Sequence, residues 1–205
     1  LAKLVAYFAQ QRIYADEETQ HLVTDGVEGS GIGANYERMI DKYLEDDRLR
    51  WTHFLSIEDD MGFAPDVLHL LASRRLDIVG ANYSVNKGSP LRFTAQKGGK
   101  TVLTTEESTG VEEVDLLPQG LTLVRREVYE TIPRPWYCQG WSEENGHVTQ
   151  DYVFSQRARE AGFSLHVDHD ASKKLFHVGP RHYTYRDALA DELEKRRTAD
   201  GCNDQ

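Results

Sequence analysis

Cysteine is scarce in this sequence. Cys138 and Cys202 are the only two, they lie far apart, and Cys202 falls in a polar tail. That usage argues against a disulfide framework and fits a reducing, cytoplasmic compartment. Long apolar runs are missing too. No stretch approaches the roughly 18 consecutive apolar residues of a membrane-spanning helix. No cationic segment leads into an apolar one, so no signal peptide is expected. Basic residues are outnumbered, 24 Lys and Arg against 34 Asp and Glu, for a net charge of −10. This balance argues against broad nucleic-acid binding. A polyanionic small molecule stays compatible with it, because a bound metal reverses the local field. Internal repeats and low-complexity tracts are also absent.

What is present suits one α/β domain. A chain of 205 residues buries a real core without staples. The run LVAYFA at 4–9 reads as a first strand. The polar stretch 10–36, with four glycines, reads as loops of the length found around active sites. Tyr36, Met39, Ile40, Tyr43 and Leu44 recur at helical spacing. WTHFLSI at 51–57 reads as a strand, Pro65 as the first turn of a helix through Leu71, and LDIVGANYS at 76–84 as the next strand. This alternation predicts parallel strands joined by crossover helices. Residues 91–96 and 101–105 predict a hairpin about Gly98-Gly99. GLTLVRREVYETI predicts a strand running into a short helix. Residues 149–161 predict a helix capped by Gly162, and FSLHVDHD another strand. The charged segment from Tyr185 predicts a helix that is solvated or packed on a second copy of the chain, which leaves a homo-oligomer open.

Three acids, Glu58-Asp59-Asp60, follow directly on the apolar run Phe54–Ile57. In parallel sheets, ligands sit beyond the carboxyl ends of strands. Extended backbone would point Glu58 and Asp60 the same way. Carboxylates that close repel unless a cation lies between them. Mg²⁺ and Mn²⁺ prefer oxygen ligands and keep room for phosphate. A solvated acidic turn is the plainer alternative.

FLSIEDDMGFAPDVLHLLASRRLDIVGANYS resembles the core of glycosyltransferases of the GT-A fold, and is most similar to the family 2-like enzymes of bacteria and their phages. The likeness continues in LPQGLTLVRREVYETIPRPWY at 117–137, in TQDYVFSQRAREAGFSLHVD at 149–168, and in LFHVG at 175–179. The resemblance implies a single GT-A-like catalytic domain over residues 1–205, with a charged helix and tail at 185–205. Its central sheet would be mixed, mainly parallel and flanked by helices.

The family's Asp-x-Asp element falls on Glu58 and Asp60, with Asp59 between them among the nucleotide-sugar contacts. Its first position here is Glu. His177 matches a late histidine that serves as a further metal ligand. Asp151 matches the acid that acts as general base in inverting members, with Gln150 where Glu is usual. The implied activity is metal-dependent transfer of a sugar from a nucleoside-diphosphate sugar, most often a UDP-sugar, to an acceptor hydroxyl, with Mn²⁺ or Mg²⁺ as cofactor.

Taken one at a time, each residue also has an ordinary explanation. Asp151 suits a helix start without any function. A lone His177 suits a core. Trp136, Tyr137 and Trp141 are either core packing or a wall of the acceptor pocket. Gly120 allows a ligand to approach the backbone closely. Lys87 and Arg92 are either diphosphate partners or surface residues. His166, His169 and His182 assemble into no zinc set. Two other readings remain: a non-catalytic nucleotide- or sugar-binding domain of the same fold, and a nucleotidyltransferase. The second is disfavoured because the glycine-rich GVEGSGIG lacks Lys and Arg.

Overall fold

A computed structural model describes residues 31–46, 51–85, 91–143, 146–179 and 182–201. The elements that organise it are helices α1 (Ile32–Leu44), α2 (Val67–Ser73), α3 (Arg126–Thr131), α4 (Gln150–Glu160), α5 (His169–Ser172) and α6 (Tyr185–Gly201). The strands are β1 (His53–Ile57), β2 (Met61–Phe63), β3 (Ile78–Gly80), β4 (Gln96–Lys97), β5 (Lys100–Thr101), β6 (Val111–Val114), β7 (Leu121–Arg125), β8 (Gly140–Ser142), β9 (Gly146–Val148), β10 (Leu165–Asp168), β11 (Leu175–Val178) and β12 (His182–Thr184).

Among the described residues, five strands form the central sheet in the order β1-β7-β3-β10-β6. Side chains alternate across each strand, and this alternation sorts the core into two layers. Phe54, Ile78, Val124, Leu165 and Val167 face one way. They meet Tyr36 and Ile40 of α1, Val128 and Tyr129 of α3, and Phe154 and Ala158 of α4. Val79, Leu121 and Leu123 face the other way. They meet Val67 and Leu71 of α2, Ala171 of α5, and Met61, Phe63 and Leu175 of a small sheet ordered β12-β11-β2. The result is a mixed α/β sheet covered on both faces, the layering of Rossmann-like folds. A third cluster seats the start of α6 through Tyr185 and Ala188 on Leu91 and Phe93.

The expectation of a mainly parallel sheet needs correction. β1, β3 and β10 do run the same way, but among the described residues β10 with β3 is the only parallel pair in this sheet. β7 lies antiparallel between β1 and β3, so the alternating chain order at 51–84 does not become direct pairing. A hairpin forms about Gly98-Gly99, but its strands are the short Gln96–Lys97 and Lys100–Thr101 rather than the expected 91–96 and 101–105. β4 and β5 join through Gly98 and Gly99, both at positive φ of 55° and 70°, the backbone that a two-residue hairpin turn needs. Gly162 follows α4 at φ 91°, closing it with Gly162 N–H donating to the Arg159 carbonyl. Strand LVAYFA and most of the 10–36 loop lie outside the described residues.

Candidate functional site

The end of β1, the end of β3 and the start of β7 share one edge of the sheet. Ile57 pairs with Leu121, and Gly80 with Thr122. What leaves β1 and β3, and what enters β7, is delivered to that edge. Glu58-Asp59-Asp60 leaves β1 as a turn, closed by Met61 N–H donating to the Glu58 carbonyl at 3.1 Å. The extended backbone expected here is therefore replaced by a reversal, because Met61 must enter β2 and pair with β11.

That pairing brings His177 to the acids. His177 lies opposite Met61 on β11, and Val178 N–H donates to the Asp60 carbonyl at 2.7 Å. The imidazole is buried. Its Nδ1 donates to the Ser84 carbonyl at 2.8 Å, and Nε2 lies 2.8 Å from Asp60 Oδ2. A carbonyl can only accept, so Nδ1 carries a proton. The approach of Nε2 to a carboxylate then favours a second proton. Burial pulls the His177 pKa down. The Asp60 hydrogen bond, the Ser84 carbonyl and the charges of Asp60 and Glu58 outweigh it, and the pKa lies above the ordinary 6.5.

Asp151 arrives from the opposite side, in the first turn of α4. Its Oδ1 is buried and has no hydrogen-bond partner. Burial raises its pKa from 3.8 to about 6, against the opposing pull of the Gln119 and Asp151 backbone N–H groups that face it. Three buried tyrosines, Tyr36, Tyr83 and Tyr137, have their ionisation opposed by the Asp151 charge. Glu58 adds to this at Tyr36 and Tyr83. Glu58 and Asp151 therefore share a neighbourhood lined by tyrosine.

Gly120 stands at the centre of this edge, but its bare Cα faces protein. A Cβ there would lie 2.5 Å from Tyr83 Oη. Trp136 and Tyr137 are core residues. Trp136 Nε1 donates to the Tyr129 and Ile132 carbonyls, and Tyr137 stacks on Phe154 with centroids 4.7 Å apart. Trp141 alone of that group is open, 77% exposed on β8. Arg92 is exposed, and Lys87 lies outside the described residues. His169 bonds Thr104 and Glu112, and His182 stacks on Phe176, so neither belongs to this edge.

Tyr83 and Gln119 are participants that the sequence did not single out. Their signal was position: each lies next to a strand end that feeds the acidic edge. The donor set fits a hard divalent cation in kind, with two carboxylates and an imidazole, and Ser84 Oγ is a further buried oxygen without a partner. In this arrangement Asp60 and His177 are in contact. Among the described residues, no group of three or more His, Cys, Asp and Glu is placed to hold a metal ion.

The fold has a counterpart among solved structures. The crystal structure of A197 from STIV superposes with a TM-score of 0.50, over 74% of this chain and 69% of that one, at 17% identity. What the two share is the fold. No protein-family model and no curated protein matches the chain. Among the described residues, no helix is long and apolar enough to cross a membrane.

Proposed function

We propose that this chain binds a nucleoside-diphosphate sugar at the sheet edge between the Asp60–His177 pair and Asp151. The observation that carries the reading is the Asp60–His177 contact. It sets an acid from the end of β1 against an imidazole from β11, one turn from Glu58 and beside the unpartnered Ser84 Oγ. Glu58, Asp60 and His177 would hold Mn²⁺ or Mg²⁺, which supplies positive charge to a diphosphate. Asp59 would lie on the diphosphate side. Gly120 would contribute through Tyr83. Calorimetry with UDP, with and without Mn²⁺, tests the reading, and GDP, CDP and dTDP form the comparison set. Metal-dependent binding of one diphosphate is expected. No response to any of them from the folded full chain would overturn it.

A second reading, catalytic transfer, is favoured by Asp151. A carboxylate with a buried, unpartnered oxygen and a pKa near 6 suits a general base working close to neutrality. The acceptor hydroxyl would lose its proton to Asp151 as its oxygen bonds the anomeric carbon. The bond from that carbon to the diphosphate would break in the same step, inverting the configuration. NMR of the product anomer tests this, and a retained configuration would exclude the mechanism.

A further inference from the structure

Two acids with different tasks approach one short segment, Gln119-Gly120, from its two sides. Glu58 N–H donates to the Gly120 carbonyl at 3.1 Å, and the Gln119 N–H faces the Asp151 carboxyl. The peptide between them is held by Tyr83, whose Oη accepts from Gly120 N–H at 3.0 Å. The same tyrosine ring meets His177 edge-on, with centroids 5.8 Å apart. On the far side, the Gln119 carbonyl accepts from Ser56 Oγ at 2.8 Å, and Gln119 Oε1 accepts from Tyr137 Oη at 3.1 Å. The glycine is required for this arrangement, since any side chain at 120 would occupy the position of the Tyr83 hydroxyl.

We infer that Tyr83 is a positioning residue that couples the two halves of the site. Through Gly120 its hydroxyl fixes the segment that holds Glu58 and that turns the Gln119 N–H toward Asp151, and its ring braces His177. The inference rests on the proposed function for its purpose, but its geometry does not depend on any ligand. A buried N–H that loses its acceptor must move or stay unsatisfied. Removing one oxygen from Tyr83 therefore loosens Gln119 as well as Gly120, and Asp151 loses an N–H that favours its charged form.

The test is Tyr83→Phe, which keeps the ring and removes the hydroxyl. The side-chain carboxyl of Asp151 is followed by carbon-detected NMR through a pH titration, with the melting temperature measured alongside. The titratable groups facing Asp151 are Tyr36 on α1, Tyr83 after β3 and Tyr137 before β8, with Glu58 acting on the first two. None of these tyrosines ionises in the acidic range scanned. The expected result is an upward move of the Asp151 midpoint with the chain still folded. An unchanged or lowered midpoint would overturn the inference. If the variant does not fold, hydrogen exchange on the wild-type chain decides. One shared protection factor at Glu58, Gln119 and Gly120 is expected, and independent values would overturn the coupling. Neither readout uses a nucleotide, so a failure to bind UDP would remove the proposed function and leave this inference standing.

Discussion

Asp60 and His177 are 117 residues apart in sequence and 2.8 Å apart in space, and the contact helps to hold the His177 pKa above its ordinary value. Asp60→Asn keeps the size of the side chain and removes the charge. The fold should survive, because the Asp60 side chain is open to solvent and adds little packing. The His177 pKa is raised on folding, so its contribution to stability is fully present below about 6.5 and is lost as pH rises through the raised value. The variant should therefore melt lower than wild type in weakly acidic buffer and converge with it in weakly alkaline buffer. Melting curves across that range check this. A constant gap at every pH would remove the pair as its cause.

At the proposed metal site, metal and proton would compete for His177 Nε2. Metal binding to an imidazole requires the neutral ring, so affinity should climb as pH rises past the His177 value. Calorimetry with Mn²⁺ and UDP in buffers of different ionisation heat would show proton release on binding. Asp60→Asn should weaken that binding, and an affinity equal to wild type would remove Asp60 from the metal site.

The Asp151 pKa is also raised on folding, but for an acid the sign is opposite to that of a paired carboxylate. Stability is fullest below the unfolded value of 3.8 and is lost as pH rises through about 6. A rise of that size corresponds to roughly 3 kcal/mol. Asp151→Asn should therefore make the chain more stable at neutral pH, measured by urea unfolding, while any transfer rate falls by about 100- to 10,000-fold. A variant that transfers at the wild-type rate would rule out Asp151 as the base and turn attention to the Glu143-Glu144 pair.

Asp168 holds a different part of the molecule. Its fully buried carboxylate accepts from Arg74 Nε at 2.7 Å and from Ala171 N–H at 2.9 Å, capping α5. Asp168→Ala would leave the guanidinium without this partner and the helix start uncapped. A loss of about 3–5 kcal/mol is expected from denaturant unfolding. No large effect on nucleotide affinity should accompany it, since Asp168 ends β10, three strands across the sheet from β1.

Phe154 is fully buried on α4, stacked against Tyr137 three residues beyond Asp151. Phe154→Ala should cost about 3–5 kcal/mol. Because this ring anchors the helix that carries Asp151, the variant should also shift the Asp151 titration, whereas Asp168→Ala should not.

The parts of the fold that could be read from the sequence are those with local causes. Gly98-Gly99 makes a turn because two positive φ angles are needed there, and α4 ends at Gly162 for the same kind of reason. β1 was visible as an apolar run, and β7 running into α3 as a run changing period. What escaped depends on partners far along the chain. β2 is three residues long and exists because β11 pairs with it. That pairing bends Glu58–Met61 into a turn where local pattern favours extension. Asp60 and His177 were legible as chemistry, and they do meet. Tyr83 and Gln119 were not, because their importance lies in hydrogen bonds between backbone and side chain that composition cannot encode. Trp136 falls on the core-packing side of the two readings open for it, with its indole N–H donating to the Tyr129 and Ile132 carbonyls.

The position of β7 constrains how the chain can assemble. β1 and β3 are made early and run the same way, yet neither touches the other. Each hydrogen-bonds to β7, which begins at Leu121. Among the described residues, a nascent chain shorter than this has three strands of the central sheet, β1, β3 and β6, and no ladder among them. Their apolar faces wait for a strand more than 40 residues away, and closing such loops is slow relative to local pairing. Any pause or truncation before Leu121 leaves a fragment that is exposed, sticky and a natural client for chaperones.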